Sequence, residues 1–171
     1  LEAPESDTLV ARGTVRARAS SAYLNNPYAA RAVEVQVAAL VGSGWQAQSQ
    51  HPDEATRRRL AAEFEAMTAP ILAPLARSVV RDGEAFVRLV IGDDGALRPR
   101  LLPAEQVDAT LTRDLGGGRR IIAGIEFDAA DDVVAFHILP EAPGGPMPAM
   151  SLAARRVPAA DVIHVFDPLF P

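Results

Sequence analysis

Three histidines, His51, His137 and His164, are the residues of this sequence best suited to moving protons or holding a metal near neutral pH. None stands at the spacing of a zinc motif from a second ligand, and there is no cysteine to supply a thiolate. Proton transfer also needs an acid, and Glu84, just after Gly83, is the candidate. A small hydrolase or ligand-binding site using His164 or His137 with Glu84 is therefore one reading. Against it, alternation places His164 on one strand face with Val162 and Phe166, which reads as a partly buried, hydrogen-bonded imidazole. Glu84 reads as a solvated or salt-bridged residue at a helix-to-sheet junction, because nothing nearby in sequence suggests a partner carboxylate held at working distance.

The other candidates lack their context. Ser43 lies in Val41-Gly42-Ser43-Gly44, without the spacing of a nucleophile elbow and after a helix where an elbow follows a strand. Gly116-Gly117-Gly118 is followed by Arg119-Arg120 and a strand, whereas a phosphate loop runs through Lys-Ser/Thr into a helix. Gly92-Asp93-Asp94-Gly95 and Asp131-Asp132 are too short to spread oxygen ligands around calcium, and both read as hairpin turns. The sequence thus predicts no catalytic, cofactor or metal site, and no enzyme.

Nucleic acid as a specific ligand is disfavoured by charge. All 17 basic residues are arginine, set against 22 acids for a net charge of −5. Up to Val80 there are eight arginines and eight acids, and from Arg81 onward nine and fourteen, so the excess is confined to the second half. Arg57-Arg58-Arg59 point in three directions on a helix, and they and Arg119-Arg120 read as solvated faces.

Elements that would position these residues follow from periodicity. In Asn25-Asn26-Pro27 an amide can accept hydrogen bonds from a first helical turn while proline loses no bond there. The helix so begun carries an apolar stripe of Ala30, Val33, Val37, Leu40 and Val41 and ends at Gly42-Ser43-Gly44. Ahead of it, Leu9 to Tyr23 reads as a shorter helix or an arm. A second helix starts near Pro52, carries Leu60, Phe64, Met67 and Ile71 on one face, and is expected to break or kink at Pro70 and Pro74. Further turns run to Arg81-Asp82-Gly83.

Beyond Gly83 the period becomes that of strands. Glu84–Ile91 and Leu97–Leu102 form one predicted hairpin, and Ile121–Phe127 and Val133–Leu139 a second. Pro140 to Pro148 reads as a loop, and Ala160 to Phe166 as a last strand. The prediction is a single α+β domain over residues 1–171, mainly helical over 1–80 and mainly β over 81–171, with a mostly antiparallel sheet or a small barrel-like wing. A chain of this length can bury a core without staples. A sequence without an initiating Met that ends on Asp167-Pro168-Leu169-Phe170-Pro171 is also expected to be part of a longer protein.

The order of these pieces resembles lambda-type phage portal proteins. The resemblance rests on five segments in register: residues 16–48, 79–90, 97–109, 121–139 and 156–168. Its most specific residues are Asn25, Asn26 and Pro27 with Gly42 and Gly44, then Asp82, Gly83 and Glu84, then His164 and Phe166. Between Phe64 and Arg77 the family carries a longer, tryptophan-containing insert that this sequence lacks. The resemblance implies a structural subunit of a dodecameric ring at a capsid vertex of a phage or prophage, located in the virion and, during assembly, in the host cytoplasm. Its implied partners are other portal subunits, the terminase, head-completion and tail proteins, and genomic DNA passing without sequence-specific binding, with no membrane and no cofactor. It also implies that the channel-lining helices lie beyond Pro171.

Overall fold

A computed structural model describes residues 4–140 and 153–166, with side chains from residue 11. Three helices come first: α1 (Pro4–Asn25), α2 (Pro27–Val41) and α3 (Glu54–Asp82). Asn26 separates the first two, its side-chain oxygen accepting from Tyr28 N at 2.9 Å and Ala29 N at 3.4 Å, with Pro27 in the first turn. Asp53 does the same for α3, accepting from Thr56 N at 2.7 Å. The first segment is thus a 22-residue helix rather than a short one or an arm.

Prolines 70 and 74 do not interrupt α3, which runs for 29 residues to Gly83. Each removes one N–H from the helical ladder. The second half of the helix is nevertheless held down from outside: Leu72, Leu75 and Ala76 are buried, and Leu75 packs with Ala85 and Val87 of the adjoining strand. Gly83, at φ +84°, turns the chain out of the helix and its N–H bonds the carbonyl of Val79.

Strands β1 (Glu84–Ile91), β2 (Leu97–Leu102) and β8 (Val162–Phe166) make one antiparallel sheet in the order β2-β1-β8. Strands β3 (Arg113–Gly116), β4 (Arg119–Ile122), β5 (Ile125–Phe127), β6 (Val133–Ile138) and β7 (Arg155–Pro158) make a second, in simple sequence order. Among the described residues both sheets are open, so the barrel alternative is not what the chain adopts, while the α+β class is. Odd positions of β1 face α3. Phe86, on the even face, is fully buried against Phe136, Val157 and Val162 and joins the sheets into a common core.

The predicted strand Ile121–Phe127 is two strands, divided by a turn at Ala123 (φ +48°) and Gly124 (φ +81°). A Cβ on Gly124 would lie 2.7 Å from the carbonyl oxygen of Asp108, so glycine is required there. Gly116, Gly117 and Gly118 all have positive φ and form the β3–β4 turn, and Asp131 (φ +68°) sits in the β5–β6 turn. Of the predicted loop Pro140–Pro148, only Pro140 falls within the described residues.

Candidate functional site

Glu84 is the first residue after the α3 cap, on the β1 face that carries Phe86, and only 7% exposed. A carboxylate there needs partners, since an isolated buried charge is very costly. It has three. His164 Nε2, from β8, lies 2.9 Å from Oε2. Arg16 donates to Oε1 at 2.5 Å, and Arg12, one turn earlier on α1, bonds the same oxygen. Strand pairing brings the imidazole in, because Phe86 is opposite His164 and Glu84 opposite Phe166. The helix brings in the guanidinium groups, because residues four apart share a face.

Burial alone pushes the Glu84 carboxyl up, but the bonds from His164 and Arg12 and the charges of Arg12 and Arg16 outweigh it, and the group falls to about 2. It is ionised at neutral pH, so His164 Nε2 is the donor. The ring of His164 stacks on Phe86 with centroids 4.2 Å apart and planes at 11°, and Phe166 lies 4.5 Å away. Phe136 meets its edge at 5.9 Å. An imidazole held in this way, through Glu84, anchors α1 to the β1–β8 pair. Arg16 Nε is buried and has no hydrogen-bond partner among the described residues.

A second carboxylate has a similar role in the five-stranded sheet. Glu126 of β5 takes both Nε and Nη2 of Arg156 of β7, at 2.8 and 3.0 Å, and lies 3.1 Å from Nε2 of His137 of β6. The Arg156 fork holds this carboxyl below its usual range, against a smaller contrary effect of burial and with a further contribution from His137. Among the helices, Glu34 of α2 binds Arg77 of α3 at 2.6 and 3.0 Å and accepts from Tyr23 of α1 at 2.7 Å. Those bonds, that of Arg77 first, bring Glu34 to about 2. Each carboxylate therefore ties together neighbouring elements.

The sequence named Glu84 and His164 as a possible pair, and the fold does bring them together. His137 joins Glu126 instead, which sequence reading missed; the signal was a single acid and a single histidine set in the apolar runs flanking one hairpin. Arg12 and Arg16 were missed too, although their i, i+4 spacing put them on one helix face. His51 lies in the loop before α3, where its Nδ1 accepts from Asp53 N at 3.2 Å. Ser43 follows α2 in the turn that closes it. Among the described residues no group of three or more His, Asp or Glu side chains could hold a metal.

These anchors serve assembly of the fold better than catalysis, and comparison with known proteins points the same way. A family model described as phage portal protein, lambda family, matches residues 1–171. The chain belongs to the lambda family of phage portal proteins. That family is structural. A lipoyl synthase from Sorangium cellulosum (strain So ce56) is 36% identical over 92 residues, which is 54% of this chain and 23% of that protein. The chain thus covers less than a quarter of this relative's length, and the activity in the name is that protein's.

Several of the residues on which the portal resemblance rested occupy caps and junctions. Asn26 and Pro27 start α2, and Asn25 Nδ2 donates back to Ser21 O at 2.9 Å. Gly42 (φ +53°) caps the end of α2 and Gly44 has φ +92°. Asp82 receives Arg81 Nε at 2.7 Å and Nη2 at 2.6 Å, immediately before Gly83. Glu84, His164 and Phe166 belong to the buried cluster.

Proposed function

We propose that this portal-family chain is part of a ring subunit at one capsid vertex of a phage or prophage, where the ring passes DNA during packaging and ejection and joins head to tail. Its partners on this reading are identical subunits, the terminase, and head-completion and tail proteins, and its location is the virion after assembly in the host cytoplasm. The helical part over 1–80 and the β part over 81–171 act as one unit joined at Glu84. The family match across all 171 residues carries the reading. The Glu84 cluster supports it, because its polar groups are spent on joining elements.

The experiment is deletion and complementation of the gene in its phage. Without the gene, heads should form but stay empty of DNA, and supplying it in trans should restore filled heads. Filled, infectious particles from the deletion strain would refute the proposal.

A second reading is favoured by one observation, the His164–Glu84 contact at 2.9 Å, which has the form of a general acid–base dyad. It lacks an adjacent described nucleophile, and Phe86 and Phe166 lie against the ring. Turnover of ester or phosphoester substrates that disappears in His164→Gln would establish it.

A further inference from the structure

The apolar layer between the two sheets gives way to arginine on three strands. Along the core-facing side, β1 runs from buried Phe86 to exposed Arg88, β2 from half-buried Leu102 to exposed Arg100, and β7 from buried Val157 to exposed Arg155. Arg88 and Arg100 stand directly opposite one another in the β1–β2 ladder. Arg155 pairs with Ile138 across β6–β7, next to the Phe136–Val157 pair of the core. Together the three line a trough of about 370 Å³ whose wall includes Val90, Leu102 and Ile138.

Like charges facing each other across a ladder weaken it. Here no described carboxylate offsets them, although nearby Arg98 is held by Asp94 at 2.5 Å and Arg156 by Glu126. In a chain of net charge −5, three arginines without an acidic partner among the described residues, gathered at one mouth of the core, are a local reversal of sign. An anion seated there would remove the repulsion.

We propose that this trough is a docking site for a carboxylate-rich segment of a partner protein. The guanidinium forks suit Asp and Glu side chains bidentately, and recognition of acidic motifs by arginine clusters is a recurring binding mode. The apolar wall suits an aliphatic side chain between the acids, which a free phosphate does not offer. Duplex DNA is too wide for a cavity of this size. The site is distinct from the Glu84 and Glu126 clusters and does not depend on the chain being in a ring.

The test is fluorescence anisotropy with a labelled peptide of alternating glutamate and leucine, competed with inorganic phosphate and with a short DNA duplex. The peptide should bind, more weakly as salt is added. Its affinity should fall roughly tenfold or more in the Arg88→Gln/Arg100→Gln double variant and in Arg155→Gln. Arg119→Gln, an exposed arginine at the β3–β4 turn, should bind as the parent does. Arg155 lies on an edge strand, so its variant gives an answer even if the double variant fails to fold. Absence of binding, equal affinity in all variants, or stronger competition by phosphate or DNA than by unlabelled peptide would overturn the proposal.

Discussion

Glu84 is the residue on which the helix-to-sheet junction turns. Its carboxyl, ordinarily near 4.5, falls to about 2 in the folded chain. A carboxylate depressed on folding contributes stability above its unfolded pKa and loses it as pH falls through the folded value, here between about 4.5 and 2. The shift corresponds to about 3 kcal/mol. Glu84→Gln should therefore destabilise strongly at neutral pH, by roughly 3 to 5 kcal/mol, because it leaves Arg12 and Arg16 beside a neutral group. Urea titrations at pH 7 and pH 2.5 should show the gap between parent and variant shrinking in acid; a gap independent of pH would refute the assignment. His164→Ala removes one hydrogen bond and three ring contacts and should cost about 1 to 3 kcal/mol by thermal or urea unfolding. At this scale the caps were legible, since Asn26 acts within three residues. The Glu84 partners were not, because Arg16 is 68 residues away and His164 is 80.

Among elements, the starts of α2 and α3 and the first hairpin were legible because their signals are local: Pro27 after Asn26, Asp53 after Pro52, and Gly92-Asp93-Asp94-Gly95 between apolar runs. Two readings failed for tertiary reasons. The break expected at Pro70 and Pro74 is absent because α3 is packed where it should have parted, with Leu72 and Leu75 buried. The strand expected over Ile121–Phe127 is divided by Ala123-Gly124, whose role depends on Asp108, a residue distant in sequence. Substitutions should distinguish local strain from steric conflict. Gly117→Ala, at φ +64° with open space around it, should cost about 1 kcal/mol. Gly124→Ala, at φ +81° with a carbonyl oxygen in its way, should cost at least twice as much. Equal effects on the unfolding midpoint would count against the close approach as the reason for glycine.

For the molecule as a whole, three carboxylates join elements in turn: Glu34 the helices, Glu84 the helices to the first sheet, and Glu126 the strands of the second. The core around Phe86 then joins the sheets. The chain should unfold as one cooperative unit, with helix-sensitive and Trp45 signals coinciding in urea; separated transitions would divide it. The α+β class was legible from the change of period at Gly83. The choice between barrel and open sheets was not, because closure depends on which edge strands meet. Membership of the portal family and a chain whose charges brace its own fold lead to one central claim: this protein acts by shape and contact within a ring. Cryo-electron microscopy of the full gene product tests that most directly. The account predicts closed rings of cyclic symmetry in which this α+β unit recurs once per subunit. A product that stays monomeric at assembly concentrations, with this unit making no contact between copies, would contradict it.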